Sequence, residues 1–161
     1  MKTITLIRHG KSSWEFDVSD DQRPLKTRGV KDSKLVAEYY KTFNFVPDAI
    51  FSSPANRALS TCKIFMSVLD IDMSNIQIVD ELYDFSGHKV INFMKSLPED
   101  YNNVMIFGHN HAFTSISNIF GDNFIDNLPT AGLVRLSFSS NTWRSVEKGK
   151  TELIIFPRDL K

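Results

Sequence analysis

Apolar positions along the chain fall into short runs that alternate between strand-like and helix-like spacing. Residues 3–7 form a β-branched apolar run that stops abruptly at Arg8-His9-Gly10 and predicts a buried first strand. Residues 11–29 are polar and read as a loop closing on Arg23-Pro24-Leu25. From 28 to 43 the apolar residues recur at helical spacing, with Val30, Leu35, Val36, Tyr39, Tyr40 and Phe43 on one face. Residues 49–51 predict a second strand, ended by Ser52-Ser53-Pro54, where proline suits the first turn of a helix. In that helix Ala55, Ala58, Leu59, Cys62, Phe65, Met66 and Leu69 share a face.

The alternation continues to the end. Residues 76–79 predict a third strand and 87–96 a helix packed through Val90, Ile91, Phe93 and Met94. A buried strand at 104–107 closes on Gly108-His109, and a helix at 112–120 follows, with Phe113, Ile116, Ile119 and Phe120 facing the core. Residues 133–138, 142–147 and 152–156 read as terminal strands, antiparallel at the sheet edge. Strands alternating with helices predict an α/β fold around a mainly parallel central sheet.

Length and composition narrow the class. The 161 residues, 42% of them hydrophobic and 13 of them Phe, fit one domain over residues 1–161 with its own core. Cys62 is the single cysteine, which excludes a disulfide framework and a Cys-based zinc site and points to a reducing compartment. The first apolar run ends at Arg8, too early for a secretory h-region, and no run approaches a membrane span, so a cytoplasmic globular protein is expected. The 19 basic and 19 acidic side chains cancel. No global field draws the chain to nucleic acid or to a membrane, and any anion it binds is held by a local cluster. The sequence leaves the oligomeric state open.

Such a cluster is visible. Arg8-His9 follows the first predicted strand, Arg57 the second, Glu81 the third and His109 the fourth, and ligand sites of open α/β sheets lie at those carboxyl ends. Two imidazoles with two guanidiniums describe a phosphoryl site. Arginine presents planar donors matched to phosphate oxygens and disperses transition-state charge. Neighbouring arginines favour the neutral, nucleophilic form of His9. Lys11 and the start of the helix after Pro54 add positive potential. His9 would attack phosphorus in line, and water would hydrolyse the resulting phosphohistidine. His109-x-His111 resembles a metal pair, but Arg8 and Arg57 in one pocket would repel a cation, so neither metal nor cofactor is expected. Ser12 and Ser13 read as turn formers, Cys62 as a packed thiol and His88 as exposed; Trp14 and Phe16 suit either a cleft rim or burial.

Leu6-Ile7-Arg8-His9-Gly10, Ser52-Ser53-Pro54-Ala55-Asn56-Arg57-Ala58-Leu59-Ser60-Thr61 and Gly108-His109, in this order, resemble the histidine phosphatase superfamily. Arg23-Pro24-Leu25-x-x-x-Gly29, the short chain and Pro129-Thr130-Ala131-Gly132 are most similar to its SixA-type phosphohistidine phosphatases. The resemblance implies a three-layer αβα sandwich of phosphoglycerate-mutase type. It also implies His9 as phosphate acceptor, a phosphate pocket of Arg8, Arg57 and His109, and Arg23 as a further substrate contact. The implied reaction is metal-independent phosphate hydrolysis, with phosphohistidine in a partner protein as substrate. Small phosphorylated metabolites, in a phosphomonoesterase or mutase, are the alternative, as is a phospho-ligand-binding module without turnover.

Two departures matter. Glu15 stands where the mutases usually have a phosphate-holding Asn. In Glu81-Leu82-Tyr83-Asp84-Phe85-Ser86-Gly87 the mutases' Glu-x-x-x-Gly spacing is stretched, although Glu81 remains the candidate acid. Only about one helix separates Glu81 from the strand at 104, so a shallow, open pocket is expected, suited to a histidine displayed on a protein.

Overall fold

The computed structural model describes residues 1–161. Six strands, β1 (Lys2–Arg8), β2 (Ala49–Ser52), β3 (Ile76–Ile78), β4 (Asn103–Gly108), β5 (Leu133–Phe138) and β6 (Lys150–Ile155), form one sheet in the order β3-β2-β4-β1-β5-β6. The first four run parallel, while β5 and β6 are antiparallel additions on the β1 side. Four helices cover it: α1 (Thr27–Lys41), α2 (Asn56–Leu69), α3 (His88–Lys95) and α4 (Ala112–Phe120).

The period-2 alternation of side chains divides the core in two. Val104 and Ile106 of β4, with Ile4 and Leu6 of β1, pack beneath Val90, Met94, Phe113, Ile116 and Phe120 of α3 and α4. Met105 and Phe107, with Ile7 and Ile50, face Val36, Tyr40, Cys62, Phe65 and Met66 of α1 and α2. This is the three-layer αβα arrangement expected. The central strand β4, covered on both faces, is accordingly a continuous apolar run over residues 104–107.

Some expectations fail at the edges. Residues 142–147 form turns rather than a strand. Trp143 and Val146 are both buried there, and the Val146 N–H donates to the Trp143 carbonyl at 3.3 Å, so the apolar spacing belongs to a turn folded into the core. The indole N–H of Trp143 donates to the Tyr101 carbonyl at 2.9 Å. Helix α1 ends at Lys41, and Tyr39 and Phe43 stay exposed, packed edge-on against each other at 5.4 Å. Ile119, assigned to the core face of α4, is also exposed. Pro54 lies just ahead of α2 rather than in its first turn.

Candidate active site

Strands β1, β4 and β2 are neighbours, and their register aligns Arg8 with Gly108 and Ser52 with Phe107. The turns that follow them therefore emerge side by side at one end of the sheet. Each carries part of a single cluster.

His9 leaves β1 with its backbone N–H donating to the Gly108 carbonyl at 3.1 Å and its carbonyl accepting from Ala131 at 3.0 Å. Its Nδ1 lies 2.7 Å from the Gly10 carbonyl. A carbonyl only accepts, so Nδ1 carries the proton and the lone pair of the neutral ring sits on Nε2. Burial, and next the charges of Arg57, Arg8 and Arg23, lower the His9 pKa to about 3 against the opposing pull of the Gly10 carbonyl. His109, fully buried, lies with its ring 5.3 Å from that of His9. Burial, His9 and Arg57 bring it to about 3 as well, with Asp20 opposing. Both imidazoles are thus neutral at physiological pH.

The polar side chains of the cluster are each anchored at one atom and left unpaired at another. Ser53 Oγ is 2.8 Å from His109 Nε2 and accepts from the Ala55 N–H at 3.2 Å, leaving His109 Nδ1 with no partner. Arg8 Nη1 donates to the Leu128 carbonyl at 2.8 Å, and its Nε is buried and unpaired. Arg57, only 2% exposed, donates through Nη1 and Nη2 to Asp20 at 2.6 and 3.0 Å, and its Nε too is buried and unpaired. Buried unpaired polar groups are rare because each costs about 1–3 kcal/mol. Three from separate segments around one histidine mark a site that an anion would satisfy.

Loop packing fixes the cluster. Gly10 and Gly29 let the β1 turn and the start of α1 approach closely; a Cβ on Gly29 would lie 2.2 Å from the Lys11 carbonyl oxygen. The Gly10 N–H donates to Thr61 Oγ1 of α2, which in turn donates to the Arg57 carbonyl at 2.8 Å.

The structure thus brings Arg8, His9, Arg57 and His109 together. Arg23 borders them: its Nη1 donates to Ser12 Oγ at 2.7 Å, its Nε to Asp20 at 3.1 Å, and its guanidinium stacks on Trp14 at 3.5 Å. Glu81 is not among them. It is exposed on the turn Asp80–Leu82 after the edge strand β3, lining a groove with Lys89, Asn92, Phe93 and Ser96. Leu82 is fully buried in the same turn, and anchoring it leaves Glu81 on the outer side.

Tyr83 and Phe85 stand by the site instead, each with its ring 5.2 Å from that of His109, and the Tyr83 hydroxyl hydrogen-bonds Asp20. Asp84 holds their loop by accepting four backbone N–H bonds, from Ser86, Gly87, Lys89 and Val90. Asp20, Ser53, Tyr83 and Phe85 were not distinguished by sequence reasoning. Only the placement of Ser53 in the Ser-Ser-Pro block and of Asp20 three residues before Arg23 hinted at them. Trp14 and Phe16 are exposed rather than in the core, while His111 is exposed at the start of α4.

Fold and cluster together define an α/β protein with two arginines and two neutral histidines gathered at the carboxyl ends of its parallel strands. Residues 4–102 match the model of the histidine phosphatase superfamily (branch 1), and the chain belongs to that superfamily. An uncharacterised chloroplastic protein of Arabidopsis thaliana is 26% identical over 88% of this chain and 69% of its own. The protein histidine phosphatase SixA, solved with tungstate, superposes with a TM-score of 0.84 at 21% identity, covering 99% of both chains. The SixA protein of Agrobacterium tumefaciens gives 0.81 at 22% identity, over 97% of this chain and 98% of the other. No helix is long and apolar enough to cross a membrane.

Proposed function

We propose that the chain is a phosphatase that transfers a phosphoryl group from phosphohistidine in a partner protein to His9, and then to water, without a metal or cofactor. The observation that carries this reading is a neutral His9 whose lone pair sits on Nε2, in one cluster with the buried unpaired N–H groups of Arg8 and Arg57 and the unpaired Nδ1 of His109. Nε2 attacks phosphorus while the bond from phosphorus to the substrate's imidazole breaks. The departing electron pair returns to that ring, which leaves neutral because its other nitrogen is already protonated. Water then displaces His9 from phosphorus, releasing inorganic phosphate and restoring the ring. Arg8 and Arg57 neutralise the equatorial oxygens in both steps.

Proton supply favours this substrate over a phosphate ester. An alkoxide leaving group needs a general acid, and Glu81 is exposed in a groove lined by Lys89, Asn92, Phe93 and Ser96. The carboxylate that does touch the arginines, Asp20, sits at about pKa 2 and is ionised at neutral pH. Imidazole leaves without such help. The exposed Trp14, Phe16, Val18 and Phe85 suit contact with a protein surface. A panel of phosphoramidate, phosphohistidine protein and sugar phosphates, assayed in EDTA, tests the reading. Turnover of the first two at rates at least about a hundred-fold above the third is expected, that is, about 2.7 kcal/mol of discrimination. Preference for sugar phosphates would overturn it.

A further inference from the structure

Asp20 ties the mouth of the pocket together, although nothing in the two chemical steps calls for it. It lies in the polar connection between β1 and α1, on the turn Asp20–Gln22. Its carboxylate accepts from Arg57 Nη2 at 3.0 Å, from Arg23 Nε at 3.1 Å and from the Tyr83 hydroxyl. Its own backbone carbonyl accepts from Arg57 Nη1 at 2.6 Å. These hydrogen bonds at one residue join its own loop, α2 and the turn after β3.

The guanidinium of Arg57 has two edges that can grip an oxyanion. Asp20 takes the terminal one, formed by Nη1 and Nη2, and the Nε side stays buried and unpaired. An arginine stem has many rotamers, and pinning one edge in advance removes the ordering cost of using the other. We infer that Asp20 is a positioning residue, which holds Arg57 from its outer edge so that its Nε side meets the phosphoryl group, and which draws Tyr83 in beside His109. This inference rests on the phosphoryl reading of the site. A carboxylate beside arginines could instead act as a stand-in anion that phosphate must displace. Against that, half of its hold on Arg57 comes from an uncharged backbone carbonyl, and Arg57 Nε is left free. Hydrogen bonds from Tyr83 and Arg57 outweigh the cost of burial at this carboxyl, so it stays ionised in the working pH range.

Orthovanadate, a phosphoryl mimic, separates the two roles by sign. Its Kd, by calorimetry, and kcat/KM for phosphoramidate are measured for the wild type, Asp20→Asn, Asp20→Glu, Arg57→Lys and the Asp20→Asn/Arg57→Lys double variant. Positioning predicts that Asp20→Asn weakens vanadate and lowers kcat/KM by about ten-fold or more, the scale of one hydrogen bond to a charged group. Asp20→Glu recovers part of the loss. The double variant is no worse than Arg57→Lys alone, because Asp20 acts through Arg57; an unrelated structural defect would add instead. The Arg57 Nε–H resonance, sharp in the wild type, broadens in Asp20→Asn. Unchanged or tighter vanadate binding in Asp20→Asn, or additive losses, would overturn the inference while leaving the phosphoryl reading standing. A wild type that binds no vanadate would overturn that reading and the inference with it.

Discussion

At His9 one backbone carbonyl decides the chemistry. Because Gly10 accepts from Nδ1, the lone pair of the neutral ring is fixed on Nε2, the atom proposed to attack phosphorus. His9→Ala removes the attacking atom, and phosphoramidate turnover is expected to fall by at least about a thousand-fold, or roughly 4 kcal/mol in barrier. Vanadate binding in that variant should survive in part through Arg8 and Arg57. Glu81→Gln is expected to leave kcat and KM within about two-fold, since surface substitutions away from a site are near neutral. A larger loss on phosphoramidate would return Glu81 to the site. With the His9 pKa at about 3, kcat/KM should show no loss from protonation of the nucleophile as pH falls through 6.5.

Among the elements, the interface between the β1 turn and α1 leaves no room for a side chain at Gly29. Gly29→Ala places a methyl against the Lys11 carbonyl, at a distance no real Cβ adopts, so the loop must move. Overpacking of this kind costs about 1–3 kcal/mol, and the variant is expected to melt several degrees lower with weakened vanadate binding. The same motif shows how far the sequence carries. Strand-helix alternation and the residues at the ends of β1, β2 and β4 were legible because parallel strands are buried on both faces and their carboxyl ends point one way. The exposed placement of Glu81 was not legible because a residue count from β3 says nothing about which neighbour, here Leu82, anchors the turn. Trp143 and Val146 mimicked a strand because burial by a folded turn leaves the same apolar spacing. Asp20 was hidden because its partners, Arg57 and Tyr83, lie 37 and 63 positions away.

For the whole molecule, zero net charge conceals a local excess. Arg8, Arg23 and Arg57 gather at one end of the sheet, offset within the site by Asp20 alone among the carboxylates they contact. That concentration has a stability consequence. His9 and His109 titrate at about 3 in the folded chain, below the ordinary 6.5, so between these values the unfolded chain binds more protons. Their contribution is complete above pH 6.5 and is lost progressively as pH falls towards 3. Urea midpoints should drop between pH 6.5 and 4.5, and a His9→Gln/His109→Gln variant should show a flatter profile across that window.

The central claim is that phosphate passes through His9 Nε2. The direct measurement is to mix the protein with phosphoramidate, quench in alkali within milliseconds and locate the adduct by mass spectrometry and 31P NMR. An acid-labile, alkali-stable phosphoryl group on His9, attached at Nε2 and formed and discharged at rates matching turnover in EDTA, is the predicted result. Turnover with no adduct on His9, or undiminished turnover by His9→Ala, would contradict it.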